Sequence, residues 1–215
     1  MPPDQDSNNS LVLSYLGLRK AVGTIGILLP FTLVMGKIIL ENPGILDSIS
    51  SYYYSIMGDV FVGSLCAIGV FLGSYRGYEK TDTIAGKLAA VLAIGVAFFP
   101  TTPPGVPTAR EVILGNIHLF FAACFFLTLA FFALFLFRKT NPDKPMTPMK
   151  LLRNYLYAIC GYGILLSIAL IVVVNLLPTA SPVHSLMPVF WLESLAIVLF
   201  GISWFIKGEA ILKDQ

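Results

Sequence analysis

Charge is what this sequence has least of. Aspartate, glutamate, lysine and arginine make up 12% of its 215 residues, about half of the roughly 25% usual in a soluble domain. Histidine occurs only twice and cysteine three times. With two histidines and no HxxxH or HExxH spacing, no zinc-hydrolase signature is present. Cys66, Cys124 and Cys160 each lie inside an apolar stretch. A thiol there behaves as a small hydrophobe, so neither a disulfide framework nor a metal knuckle follows. No basic stripe interleaved with aromatics is found, which excludes a nucleic-acid partner. The first ten residues are acidic and polar, with no positive n-region and no small-residue cleavage site. The first apolar stretch is therefore expected to persist as a membrane span.

What is abundant is hydrocarbon. Hydrophobic residues account for 56% of the chain, and its mean hydropathy is +0.81. A spanning helix needs about 20 mostly apolar residues. Six stretches approach that length: 22–40, 59–75, 84–99, 117–137, 156–177 and 189–206. They predict one domain over residues 1–215, an all-α, polytopic six-helix bundle in a membrane.

The few charges are sorted. Arg19 and Lys20 precede the first stretch, and Arg76, Lys80 and Lys87 lie between or beside the second and third. Arg138, Lys139, Lys144, Lys150 and Arg153 lie between the fourth and fifth, and Lys207 and Lys213 close the sixth. The alternate connectors hold only Arg110, with Lys37 at the far end of the first stretch. Lysine and arginine remain on the cytoplasmic side of short loops, so both termini are expected to be cytoplasmic.

Within the spans, Pro30 removes a backbone hydrogen bond and predicts a kink. Lys37 is expected to snorkel to the outer interface. Gly69 and Gly73 on the second span, and Ala85, Ala89, Ala93 and Ala97 on the third, recur every four residues. Small residues at that spacing let helix backbones approach closely in lipid. The short third span is expected to stand upright or to be surrounded by protein. Aromatics occur almost all round the fourth, which predicts extensive lipid contact. Trp191 and Trp204 frame the sixth and read as interfacial anchors.

Polar groups in an apolar bundle are costly and are the first functional candidates. Placed on this topology, Ser51, Tyr54, Asp59, Arg110, Asn116, His118, His184 and Glu193 fall in one outer layer. Glu193, set among Phe190, Trp191, Leu192 and Leu195, is the most exceptional; it should avoid lipid and pair with a base or donor, His118 or Arg110 first. Asp59 also suits a plain helix start, where a carboxylate complements the helix dipole. The tyrosine run 52–54 also suits an interfacial aromatic belt. A metal site can be drawn from Asp59, His118, His184 and Glu193, since zinc accepts imidazole and carboxylate, although no spacing supports it.

The segments Ser48-Ile49-Ser50-Ser51-Tyr52, Gly58-Asp59-Val60-Phe61-Val62-Gly63 and Phe98-Phe99-Pro100-Thr101, with His118 opening the fourth span, resemble a superfamily of small six-helix membrane proteins. That superfamily is related to DRAM, the FGF-receptor-activating protein and Sfk, and has a bacterial branch known only as a domain of unknown function. The resemblance covers about the first four spans. It implies a six-helix fold, a lipid-related role in some eukaryotic members, a bacterial inner-membrane location, and no established reaction. Alkaline-ceramidase-type hydrolases are less similar, since this chain lacks their seventh helix and their paired histidines on the last span.

The expected function is non-enzymatic. An outward-facing polar pocket is expected to bind a lipid headgroup or small polar ligand, without a cofactor, and the expected partners are membrane lipids, with a further copy of the chain or a larger membrane complex as additional candidates. The alternatives are a metal-assisted lipid hydrolase and a small transporter or complex subunit.

Overall fold

A computed structural model describes residues 5–77, 79–140, 147–178 and 181–212, with side chains from Tyr15 onward. Its six α-helices are α1 (Gln5–Leu40), α2 (Gly58–Gly73), α3 (Lys80–Phe98), α4 (Ala109–Phe131), α5 (Pro148–Leu176) and α6 (Pro188–Lys207), and no strand occurs among the described residues. A π-helical turn, Phe132–Leu136, extends α4, and 3-10 helices at Ser50–Tyr54 and Pro182–Leu186 lie in the connections before α2 and α6. Five helices are long and apolar enough to cross a membrane, and the chain is a multi-pass membrane protein.

Each helix packs on its neighbour in the chain, and α6 packs back on α1, so the six close into a ring. This leaves a terminal end, where α6 finishes beside α1, and a distal end, where α2, α4 and α6 begin. The closing contact is made by glycine. A Cβ on Gly201 would lie 2.7 Å from both Gly23 O and Ile27 N, and one on Gly23 would lie 2.8 Å from Gly201 O. Backbones this close tolerate no side chain on either partner, which is the packing mode available to helices in lipid. Val22, Leu29, Leu33 and Lys37 lie on the buried face of α1 at helical spacing.

The observed bounds differ from the apolar stretches at their polar ends. The α1 helix begins at Gln5 rather than near residue 22 and contains Pro30 without interruption. At 1.5 Å per residue its 36 residues span about 54 Å, more than the roughly 30 Å hydrocarbon core. α4 begins eight residues before the expected 117 because Thr108 and Glu111 form a capping box: Thr108 Oγ1 accepts from Glu111 N at 3.3 Å, and Glu111 Oε2 accepts from Thr108 N at 2.7 Å. Arg110 and Glu111, expected in a loop, therefore occupy the first turn of α4. α5 begins at Pro148 behind the Thr147 cap. α2, at 16 residues, is too short to span alone, and the connection before it folds inward with Ile49, Tyr52 and Met57 buried.

Packing explains the small-residue stripes. Ala85, Ala89, Ala93 and Ala97 are all buried, and Gly69 and Gly73 approach Ala90 and Ile94. As expected of a short span, α3 is the most enclosed, with 50% of its apolar window buried against 33–39% for the other four. The fourth span is two-sided: Phe120 and Phe135 are exposed, while Phe125, Phe132 and Phe137 are core residues. Trp204 is no interfacial anchor. It is 1% exposed, with ring centroids of Tyr75 and Phe137 at 5.2 Å and Phe132 at 5.6 Å. Trp191, 58% exposed, does stand at the distal surface.

Candidate functional site

At the distal end, the connection between α1 and α2 is held from below by α6. Glu193, little more than one turn into α6, accepts a hydrogen bond from Ile49 N to Oε2 at 2.7 Å, and the Ser50 backbone lies beside the same carboxylate. Ile49 is the N-cap of the 3-10 helix Ser50–Tyr54 and makes no side-chain cap of its own. The carboxylate supplies the missing acceptor where free N–H groups point, which is how an acid stabilises a helix start. The expectation that Glu193 pairs with His118 or Arg110 is therefore corrected: it bonds backbone. Two N–H donors satisfy a carboxylate without bringing a second charge into the bundle.

Glu193 and Ser50 are also the two polar residues among those lining an internal cavity of about 30 Å³, and they meet it through apolar atoms. Its remaining walls are apolar, among them Leu29, Phe61, Val96, Phe125 and Phe200. This space is enough for a hydroxyl, an amine or one or two waters, and too small for an acyl chain.

His118 is buried, and its Nδ1–H donates to Phe99 O at 2.6 Å. A carbonyl only accepts, so the proton on Nδ1 is required by this contact. Nε2 is buried without a partner among the described residues. One turn further along α4, Ala122 lines the cavity. Tyr54 donates from its hydroxyl to Thr101 O at 2.7 Å, so the connection before α2 also grips the connection before α4. Burial pushes the Tyr52 phenol above its usual range, with the Leu46 backbone opposing, and burial likewise raises Tyr54, helped by Tyr53 and Glu111. Both phenols are neutral donors at physiological pH. Tyr52 is core, against Phe190, rather than part of an interfacial belt.

The other candidates are at this end but not in one pocket. Ser51 hydrogen-bonds to Ser48 through their hydroxyls at 2.7 Å. Asp59 stands exposed in the first turn of α2, as a dipole-complementing acid does. Arg110 and Asn116 are exposed on α4. His184 lies in the 3-10 helix before α6, and its Nε2 is buried and unpartnered among the described residues. Lys37 is 4% exposed, and its Nζ reaches the connection beyond the distal end of α1, donating to Asn42 O, the Asn42 side chain and Gly44 O. No group of three or more His, Cys, Asp or Glu comes together among the described residues, so Asp59, His118, His184 and Glu193 do not assemble as a ligand set.

The chain matches no family model, no curated protein and no solved structure. Its chemistry must be read from its own residues.

The terminal end holds a cluster that the apolar pattern concealed. Asp82, 1% exposed, accepts from Lys139 Nζ at 2.9 Å, and Glu79 accepts from the same ammonium at 3.0 Å. Asp82 Oδ2 also accepts from Glu79 N at 3.0 Å, closing a capping box on α3. Partial burial pulls the Lys139 ammonium down, but the two carboxylates more than reverse this and hold it above its usual range. The sequence signal was Glu79-Lys80-Thr81-Asp82, an acid–acid pair at capping-box spacing. Lys144 and Lys213 lie outside the described residues.

Proposed function

We propose that this protein binds a lipid headgroup or small polar ligand through a donor group, a hydroxyl or amine, received by Glu193 at the distal end of the bundle. The observation that carries the reading is Glu193, bonded to Ile49 N and placed beside an otherwise apolar cavity that it lines with Ser50. Additional support comes from the buried Nε2 of His118 and His184 and Oγ of Ser194 at the same end, which have no hydrogen-bond partner among the described residues, since buried polar atoms without partners are few in folded proteins. The cavity volume limits the bound part to a few atoms, and acyl chains would lie along the exposed apolar faces of the helices.

In this proposal the distal end faces outward and the terminal end faces the cytoplasm, because the basic residues gather at the latter. A bacterial inner membrane follows from the resemblance to the DRAM-related proteins. The metal-assisted hydrolase gains no observation in its favour, and neither does the transporter.

The test is native mass spectrometry of protein extracted gently from its own membrane, with Glu193→Gln alongside. A retained small molecule or lipid, weakened about tenfold or more in the variant at unchanged folded yield, supports the reading. Equal retention by the two proteins overturns it.

A further inference from the structure

The apolar surface of the ring differs in height from one side to the other. On α4, the segment between the exposed Asn116 and the exposed Arg138 rises about 30 Å at roughly 1.5 Å per residue. On α5, the strip from Tyr155 to Leu176, which are 67% and 79% exposed, carries no acid or base and rises about 32 Å. Both match the roughly 30 Å hydrocarbon core of a bilayer.

The side formed by α2 and α3 is shorter. Charges bracket α2: Asp59 is exposed in its first turn, and Arg76 is exposed just beyond its end. The uncharged part between them within the helix, residues 60–73, rises about 20 Å. On α3, Lys87 is exposed between Ile84 and Leu88, and the rise from Lys87 to Phe98 is about 17 Å. A helical side chain leans toward the N-terminus of its helix, which for α3 lies at the terminal end. The lysine stem therefore carries its ammonium about 6 Å further that way, and α3 offers lipid a strip of about 23 Å. Tilt can only lower these heights, since it shortens a helix in projection. The two strips adjoin because α2 packs on α3. Val70 and Val91, each 63% exposed, show that the face is open among the described residues.

Charge decides what such a face suits. Two copies in one membrane paired about a two-fold axis through this face would set Asp59 near Asp59 and Lys87 near Lys87, and like charges repel. A phospholipid meets the same residues favourably, since its phosphate lies at the level an extended Lys87 ammonium reaches. A strip shorter than the hydrocarbon core is accommodated by thinning the bilayer around it, at a cost that grows with each ångström of mismatch and falls as the acyl chains shorten.

We propose that the α2–α3 face is a docking surface for phospholipids with short acyl chains, and that a bilayer of ordinary thickness thins where it meets this face. The α4 and α5 surfaces take lipids of ordinary length, so the protein tapers the membrane from one side of the ring to the other.

The experiment reads each face separately by tryptophan fluorescence in reconstituted bilayers. Trp191→Phe removes the exposed emitter and leaves Trp204, which is core and does not touch lipid. Into this chain a reporter is placed by Val70→Trp on α2 or by Tyr162→Trp on α5, both at positions 63% exposed. Each is quenched by brominated dioleoyl-phosphatidylcholine, and unbrominated dimyristoleoyl-phosphatidylcholine is added as the short-chain competitor. The expected result is displacement of the quencher about threefold more effective at position 70 than at position 162. Val91→Trp reads the same face on α3 if Val70→Trp does not fold. Equal displacement on the two faces overturns the surface. Absence of quenching by any lipid at positions 70 and 91, with a crosslinked dimer, overturns the lipid assignment in favour of a second copy of the chain.

Discussion

Glu193 shows how a single residue on one element can hold the backbone of another. Its carboxylate caps the 3-10 helix Ser50–Tyr54 from a different element. Replacing it by leucine leaves buried N–H donors unpaired and should cost about 1–3 kcal/mol. Thermal unfolding in detergent would register this as a lower midpoint for Glu193→Leu than for Glu193→Gln, whose amide oxygen still accepts. Equal midpoints would show that the cap contributes nothing. Trp204 should be more sensitive still: truncation to alanine removes the centre of the Tyr75, Phe132, Phe137 and Phe200 cluster and should cost about 3–5 kcal/mol. An interfacial anchor would lose far less, so the same melting experiment separates the two roles. Sequence alone pointed to Glu193 but not to its partner. Hydrogen bonding to the backbone of residue 49 joins positions 144 apart, and no local spacing encodes it.

Among the elements, the α1–α6 contact is the one on which closure of the ring depends. Gly201→Leu forces a side chain into the backbone of Gly23 and Ile27 and should cost more than the roughly 1–3 kcal/mol of ordinary overpacking. The expected outcome is loss of the monodisperse peak in size-exclusion chromatography, whereas Gly63→Leu, at a position with open space around it, leaves the peak intact. A normal elution profile for both variants would contradict the close approach. The link between α3 and the end of α4 depends on pH. Lys139 has a raised pKa in the folded protein, so its pairing with Asp82 and Glu79 stabilises fully below the ordinary lysine range and is lost as pH rises through the raised value. Unfolding midpoints should therefore decline above about pH 10.5, and less so in Lys139→Gln. Helix existence was evident from the apolar stretches, while helix starts were not: α1, α4 and α5 each begin in polar sequence, where caps and tertiary contacts, rather than hydropathy, set the boundary.

For the whole molecule, the ring sorts its polar groups to two ends with different character. The distal end carries Glu193, His118 and the tyrosine segment, bonded mainly to backbone, and the terminal end carries the excess of arginine and lysine. If the terminal end is cytoplasmic, a fluorescent protein fused after Gln215 should mature and fluoresce in a bacterial host, and alkaline phosphatase at the same position should be inactive. The reverse pattern would invert the orientation and place the basic cluster outside.

By itself, the sequence determined the number and order of the helices and the end of the bundle at which the lysines and arginines gather. These follow from apolar length and from the cost of moving a charge through hydrocarbon, both of which are local properties of the chain. Only the tertiary structure decided that Trp204 is core, that Lys37 holds the segment following α1, that Gly23 and Gly201 close the ring, and that the outer polar residues do not share one pocket. Each of these depends on which faces meet, and a helix surface does not carry that information until its neighbours are in place.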